Sequence, residues 1–124
     1  MCKLVKFNDN ALVADIKQKY IANIVKQAKE CKNISRIVLF GSAIETRCTS
    51  KSDIDVAVFG KKSQNEYLRS EEFKNFQRNI FSFENDFTQD YDILYFCEDK
   101  KNNDTILNDI SRGSEIFRRA LVWI

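Results

Sequence analysis

Apolar residues in the first part of the chain recur at a helical spacing. The polar residues 8–10 could each cap a helix at its N-terminus. After them an apolar residue stands at every fourth position: Leu12, Ile16, Tyr20, Ile24 and Ala28. Val13, Ile21 and Val25 widen this stripe. The pattern predicts a first amphipathic helix that begins shortly after residue 10.

The next two patterns are typical of strands. Residues 34–40 form a short segment rich in β-branched and apolar residues, and this segment ends at Gly41. The pattern predicts a buried strand followed by a tight turn. Residues 42–52 are polar and predict a loop with one helical turn. Residues 53–59 alternate strictly between two faces. Asp53 and Asp55 are therefore predicted to face the same way on a second strand.

The second half of the chain adds one long helix, one strand and a shorter helix. The apolar positions between 63 and 85 fall three and four residues apart, after a capping pair formed by Ser63 and Glu66. Residues 91–97 are a strand candidate. Residues 105–111 predict a short helix closed by Gly113, and the tail 115–124 could finish as a strand. The order of elements predicts a single α/β or α+β domain over residues 1–124, with helices packed against a small mixed sheet.

Composition excludes several classes of protein. Lys and Arg number 20 against 18 Asp and Glu, so the net charge of +2 is too small for the field that sequence-independent nucleic-acid binding needs. The four cysteines show no CxxC pair and the chain has no His, which leaves no zinc pattern and favours reduced thiols in the cytoplasm. We find neither a secretion signal nor a run of about 20 apolar residues, and expect a cytoplasmic protein without a membrane segment.

Three aspartates are candidates for a metal site. An Asp-x-Asp pair is by itself common on solvent-facing strands. Here Asp53 and Asp55 open an otherwise apolar strand, where two like charges repel each other and lose hydration unless a cation compensates them. Hard divalent ions such as Mg²⁺ prefer carboxylate oxygens and keep sites for water and substrate phosphate. Asp92, the second residue of the later strand, could supply a third carboxylate if the two strands are neighbours.

Gly41-Ser42 is a candidate phosphate-binding turn. A glycine directly after a buried strand lets the backbone approach a phosphate closely, and a serine hydroxyl with main-chain N–H groups can hold its oxygens. A simple turn is the alternative for an isolated Gly-Ser. The combination of strand, Gly-Ser, polar loop, Asp-x-Asp strand and later Asp strand favours the phosphate-binding interpretation.

This combination resembles a known family. Val38-Leu39-Phe40-Gly41-Ser42, ten intervening residues and Asp53-Ile54-Asp55 are similar to the signature of the DNA polymerase beta-like nucleotidyltransferases. The short length and the sequence of residues 106–113 are similar to the minimal nucleotidyltransferases of that superfamily, and the resemblance covers about residues 34–117.

The resemblance implies a mechanism with two Mg²⁺ ions, for which Mn²⁺ could substitute. In it Asp53 and Asp55 hold the ions that bridge a nucleoside triphosphate, ATP being favoured. Asp92 binds the catalytic ion and helps to deprotonate the attacking hydroxyl, while Gly41 and Ser42 grip the triphosphate. The chain would thus be an enzyme that transfers a nucleoside monophosphate, and it needs no His for this chemistry.

The loop after Gly-Ser departs from the family pattern. Many minimal members have a small residue, Arg and Gly there, where this chain has Ile44, Glu45 and Thr46. Arg47 or Lys51 could replace the missing positive charge, and both could equally be solvated loop residues.

The resemblance also suggests a partner and leaves alternatives open. Minimal nucleotidyltransferases resemble antitoxins that transfer AMP to a small helical HEPN-type protein, which we expect as the partner because the chain has no room for an acceptor-binding domain. The alternatives are a catalytically silent nucleotide-binding or protein-interaction module, and an RNA or DNA end-modifying enzyme, for which the small net charge makes nucleic acid a poor candidate substrate. The apolar tail 120–124 could pack on the domain, form a homo-oligomer or bind a partner.

Overall fold

The fold is built on a mixed four-stranded sheet. The structure, a computed structural model, describes residues 2–98 and 112–119. The strands and helices are β1 Leu4–Asn8, β2 Ala11–Ala14, α1 Gln18–Lys29, β3 Ile34–Phe40, β4 Ile54–Gly60, α2 Gln64–Leu68, α3 Glu71–Phe81, β5 Tyr91–Cys97 and β6 Ser114–Arg118. Short 3-10 turns occupy Asp15–Lys17, Gly41–Ile44 and Phe83–Asn85.

The sheet has the strand order β5-β4-β3-β6. β3 is antiparallel to both β4 and β6, whereas β4 and β5 are parallel. A parallel pair needs a crossover connection, and α2 and α3 supply it between β4 and β5. The mixed sheet with packed helices confirms the predicted fold class.

The main hydrophobic core lies on one face of this sheet. β4 contributes alternate residues to it, and the apolar stripes of α1 and α3 pack against them. The fully buried members from these three elements are Ile54, Val56, Val58, Ile21, Ile24, Ala28, Phe76 and Ile80. The opposite face of β4 carries a second, smaller cluster in which Ala57 and Phe59 pack with Val38 of β3. The strict alternation predicted for β4 is therefore real, although the strand begins at Ile54 rather than at residue 53.

The predicted beginning of the first helix is wrong. Residues 4–14 form an antiparallel hairpin, β1 with β2, and α1 starts only at Gln18. The polar residues 8–10 make the hairpin turn, in which the Asn10 N–H donates to Asn8 Oδ1 over 2.8 Å, instead of capping a helix. Leu12 and Ile16, counted in the helical stripe, are 53% and 42% exposed. The every-fourth-residue spacing of apolar residues does not indicate a helix here, because alternate positions of a strand also fall four residues apart.

The single helix predicted over residues 63–85 is divided in two. Ser63 caps α2 by accepting from the Glu66 N–H, as the sequence pattern predicts. Ser70 then accepts from the Phe73 N–H and caps α3. Its hydroxyl also donates to the Tyr67 carbonyl, so one side chain both closes the first helix and opens the second. The apolar positions Phe73, Phe76 and Ile80 remain core residues of α3.

Two predictions for the C-terminal part lie outside the described residues: the helix over 105–111 and the tail beyond residue 119. The predicted final strand is present as β6, Ser114–Arg118. The four cysteines are free and buried. Burial raises the pKa of the Cys31 thiol to about 11, which disfavours its reactive thiolate form. No helix in the described ranges is long and apolar enough to cross a membrane.

A buried asparagine fastens the end of β4 to the rest of the sheet. Asn33 is 8% exposed, and its Oδ1 accepts from the backbone N–H groups of Lys61 and Lys62, while its Nδ2 donates to the Tyr95 hydroxyl. That hydroxyl donates in turn to the Lys62 carbonyl over 2.7 Å. The two backbone N–H groups and the acceptor side of the Tyr95 hydroxyl therefore depend on this one amide.

Replacing Asn33 with Ala should lower the free energy of unfolding by about 2 kcal/mol, because two backbone N–H donors lose their acceptor and the Tyr95 hydroxyl loses one of its two hydrogen bonds. Chemical denaturation measures this loss. The matched control is Asn75→Ala on the exposed side of α3, which should change the free energy of unfolding by less than about 0.5 kcal/mol. Equal effects of the two substitutions would contradict the role given to Asn33.

Candidate active site

Asp55 and Asp92 lie side by side on neighbouring parallel strands. In the β4–β5 register their Cα atoms are direct partners, and Asp53 lies two residues before Asp55, just ahead of β4. Asp55 shares its face of β4 with Ala57 and Phe59, so the carboxylates continue the smaller apolar cluster toward the sheet edge. The strand adjacency assumed from the sequence is confirmed.

Negative charge accumulates at this edge. Burial raises the pKa of the half-buried Asp55 carboxyl above its ordinary value, and the charges of Asp92 and Asp53 raise it further. Asp53 and Asp92 are exposed. In the described ranges, no group of three or more His, Cys, Asp or Glu side chains is gathered closely enough to hold a metal ion. The three aspartates thus share one electrostatic environment without forming a closed set of ligands.

Gly41 places the backbone at the end of β3 directly against the Asp55 side chain. It follows β3 directly, in a 3-10 turn that also contains Ser42, and its φ of +70° is in the left-handed region that favours glycine. A Cβ atom at this position would overlap Asp55 Oδ2. Gly41 is therefore needed for two reasons: the turn requires its φ, and the carboxylate occupies the space that a side chain would fill.

A cavity of about 440 Å³ opens beside Gly41. Its walls combine apolar and charged side chains, contributed by Phe40, Gly41, Ile44, Glu45, Arg47 and Arg112. Phe40 is the Cα partner of Asp55 in the β3–β4 register, so the cavity lies near Asp55, although none of the three aspartates is among its lining residues. Its volume is in the range of pockets that bind small molecules.

Arg47 reaches this cavity already paired. Its guanidinium donates to both carboxylate oxygens of Glu45, with Nε to Oε2 at 2.8 Å and Nη2 to Oε1 at 3.2 Å. The bonds to Glu45 raise the pKa of Arg47, and its charge in turn lowers the pKa of Asp55, against the larger effects that raise it. Any anion that binds Arg47 must compete with this carboxylate.

The structure brings together most of the residues that the sequence suggested. Gly41, Ser42, Asp55 and Asp92 converge at one edge of the sheet, and Arg47 lies on the cavity wall. Lys51 is exposed farther along the loop and is not one of the cavity-lining residues.

Sequence reasoning missed Arg112. Arg112 is distant from Gly41 in the sequence. The antiparallel pairing of Leu39 with Ser114 brings it close to the end of β3. No spacing along the sequence indicates this proximity.

Comparison with known proteins identifies the family of the chain. The family described as "Polymerase beta, Nucleotidyltransferase" matches residues 21–117, which is most of the chain. The chain belongs to this nucleotidyltransferase family. No curated protein is significantly similar to it. The matched range contains the Gly41 turn and all three aspartates, and it begins earlier than the range 34–117 suggested by the signature alone.

We predict that Gly41→Ala damages nucleotide binding more than the fold. The left-handed backbone costs about 1–2 kcal/mol for alanine, and the new methyl group must displace the Asp55 carboxylate. Metal-dependent triphosphate binding, normalised to folded protein, should fall sharply. Gly60→Ala is the control: its methyl group would collide with Asn33 and Tyr95 at the other end of β4, so it should lower stability and leave binding per folded molecule unchanged.

A second prediction concerns charge repulsion. In metal-free buffer at pH 7, Asp55→Asn should raise the melting temperature, because it removes a desolvated charge that Asp92 and Asp53 repel. The folded-state pKa of Asp55 is raised, so ionisation of this group costs stability above that pKa and costs nothing well below the ordinary aspartate value of about 3.9. The gain should therefore shrink to zero as the pH falls to about 3, as thermal unfolding at several pH values would measure. Asp9→Asn, whose side chain is 94% exposed, should show almost no gain at any pH.

Proposed function

We propose that this protein transfers a nucleoside monophosphate, AMP from ATP in the favoured case, to a hydroxyl group of an acceptor. The observation that carries the proposal is the register of β4 and β5, which sets Asp55 beside Asp92 next to the Gly41 turn in a member of a nucleotidyltransferase family. Each part of this arrangement has a use in nucleotidyl transfer.

The donor set fits a hard divalent cation. Asp53, Asp55 and Asp92 offer only carboxylate oxygens, the ligands that Mg²⁺ prefers. In this structure they are not gathered closely enough to form a three-ligand group, so phosphate oxygens and water would have to complete the coordination. These three residues would hold one or two Mg²⁺ ions, or Mn²⁺ in their place. Bound there, the metal would lower the pKa of the acceptor hydroxyl and neutralise the charge of the leaving pyrophosphate. The exposed Asp92 would accept the proton of that hydroxyl and orient it toward the α-phosphorus.

The nucleotide would lie along the Gly41 turn and in the adjoining cavity. Backbone N–H groups of the turn and the Ser42 hydroxyl would donate to phosphate oxygens. Arg47 and Arg112 would supply positive charge from the cavity wall, while Glu45 would have to release Arg47 when the phosphate binds. Lys51, exposed outside the cavity lining, would contribute only a weak, solvent-screened attraction.

The acceptor is proposed to be a hydroxyl on a small helical HEPN-type protein, with the transfer serving an antitoxin function. The resemblance to minimal nucleotidyltransferases supports this. Three exposed apolar side chains also support it, because such side chains would suit contact with a protein. Leu12 and Ile16 lie on and beside the N-terminal hairpin, and Phe87 lies on the segment that enters β5. Phe87, 71% exposed, precedes Asp92 by only five residues.

A silent nucleotide-binding or interaction module is the second candidate. The observation in its favour is that the aspartates do not form a closed three-ligand group. Such a module would bind a triphosphate or a partner without cleaving the α–β phosphate bond.

Calorimetric titration of ATP with Mg²⁺ tests the site directly. We expect saturable, metal-dependent binding by wild type and none by Asp53→Ala/Asp55→Ala, which removes two of the proposed metal ligands. The matched control is Asp9→Ala/Glu71→Ala, which also removes two carboxylates, both on highly exposed side chains, and should bind as wild type does. Absence of binding by folded wild type to any triphosphate would overturn the proposal.

Labelled ATP separates transfer from silent binding. With a HEPN-type partner present, label at the α-phosphate should appear on the partner, and label at the γ-phosphate should not, because the pyrophosphate leaves. Binding of ATP without label transfer to the partner would favour the silent module. Transfer of the γ-label would indicate a kinase reaction and contradict nucleotidyl transfer.

A further inference from the structure

Lys17 is a buried cation on a segment that precedes the matched family range. It ends the 3-10 turn before α1 and is 1% exposed. Its ammonium group donates to the side-chain oxygen Oε1 of Gln89, in the segment that enters β5, and to the Ser50 carbonyl over 3.3 Å, in the loop that leads to Asp53. One side chain therefore contacts both chain segments that carry the aspartates.

Gln89 completes this connection. It is 4% exposed, and its Nε2 donates to the Ser52 carbonyl over 3.1 Å and to the Asp90 carbonyl over 2.7 Å. The Asp90 carbonyl also accepts from the Ile54 N–H at the start of β4. Lys17 and Gln89 thus form a buried polar bridge between the residue that precedes Asp53 and the residue two before Asp92.

The N-terminal segment holds the same loop at a second point. The Cys2 N–H donates to the Thr46 carbonyl over 3.2 Å, and Cys2 packs with Ala14 and Cys48 in a small buried cluster. Residues 2–17 therefore fix the loop between the Gly41 turn and β4 at both ends. The family match, which begins at residue 21, does not include them.

Packing alone gives no reason for a charge at this position. Burial lowers the pKa of Lys17, and the charges of Asp53 and Asp86 counteract this lowering only in part. The two groups that accept from its ammonium are neutral, so the charge is held at a cost in solvation. A methionine could fill most of the same volume without that cost. What methionine could not do is join Ser50 to Gln89.

We propose that Lys17 is a positioning residue, whose bonds to Ser50 and Gln89 set the distance between Asp53 and Asp55 on one strand and Asp92 on the next. It touches neither nucleotide nor metal, and it acts through the backbone of the two segments that enter β4 and β5. The inference rests on the proposed function, because it concerns the geometry of the same carboxylates. It assigns a role in this site to residues outside the matched family range.

The test compares Lys17→Met with Lys29→Met, an exposed lysine at the end of α1. Titration of Mg²⁺ with ATP should show binding about tenfold weaker or worse in Lys17→Met, the loss typical when a group that orients metal ligands is removed. Lys29→Met should bind as wild type does. Equal binding by all three folded proteins would overturn the inference and leave the proposed function intact.

A variant that is destabilised elsewhere separates positioning from stability. Lys17→Met removes the donor to Gln89 Oε1 and to the Ser50 carbonyl, so it should also lower the melting temperature. Asn33→Ala lowers stability at the opposite end of β4 and leaves the bridge intact. If Lys17 positions the site, binding per folded molecule falls in Lys17→Met and not in Asn33→Ala. Equal loss of binding in the two variants would show a purely structural role and overturn the inference.

Hydrogen exchange provides a readout that requires no nucleotide. The Ile54 amide, bonded to the Asp90 carbonyl, should exchange faster in Lys17→Met, while an amide in the centre of β4 such as Val58 should not. Unchanged exchange at Ile54 would contradict the bridge. Failure of wild type to bind any triphosphate, with faster exchange at Ile54, would instead reject the proposed function and retain the bridge as a feature of the fold.

Discussion

The parallel pairing of β4 with β5 is the constraint on which the site depends. It forces Asp55 and Asp92 to adjacent positions on one face of the sheet, where the charge of Asp92 adds to the effect of burial and raises the pKa of Asp55. The crossover through α2 and α3 maintains this pairing, and the core beneath β4 prevents a shift of register, because a slip of one residue would bury the acid face. The strands that form the hydrophobic core therefore also hold the mutually repelling carboxylates next to each other.

The two ends of β4 have different roles. At Gly60 the Asn33 amide and the Tyr95 hydroxyl form a buried hydrogen-bond network that holds the strand in place. At the Asp55 end the groups are acidic, partly exposed and incompletely compensated, with Gly41 approaching so closely that no side chain fits. One end of the strand serves as an anchor, and the other carries the uncompensated carboxylates for which we propose a cation and a phosphate as ligands.

The sequence predicted most of the sheet and the central residues of the site, because β3, β4 and β5 have the unambiguous patterns of buried strands. It failed at the N-terminus, where the alternation of a hairpin coincided with a helical spacing at Leu12 and Ile16, and at Ser70, where one hydroxyl divides a continuous helical pattern. Arg112 and Lys17 could not be assigned, because each reaches its place only through pairing or burial between distant segments. Such contacts have no signature in local periodicity.

The Lys17–Gln89 contact has a consequence for the order in which the molecule is completed. It joins residues 72 positions apart, and Lys17 leaves the ribosome long before its partner exists. Closing so large a loop is entropically expensive, and the contact becomes favourable only once β4 and β5 are already paired. The bridge would then form only after β4 and β5 have paired, so that the chain passes through a stage in which the two strands are in place but Lys17 does not yet hold the segments that precede Asp53 and Asp92.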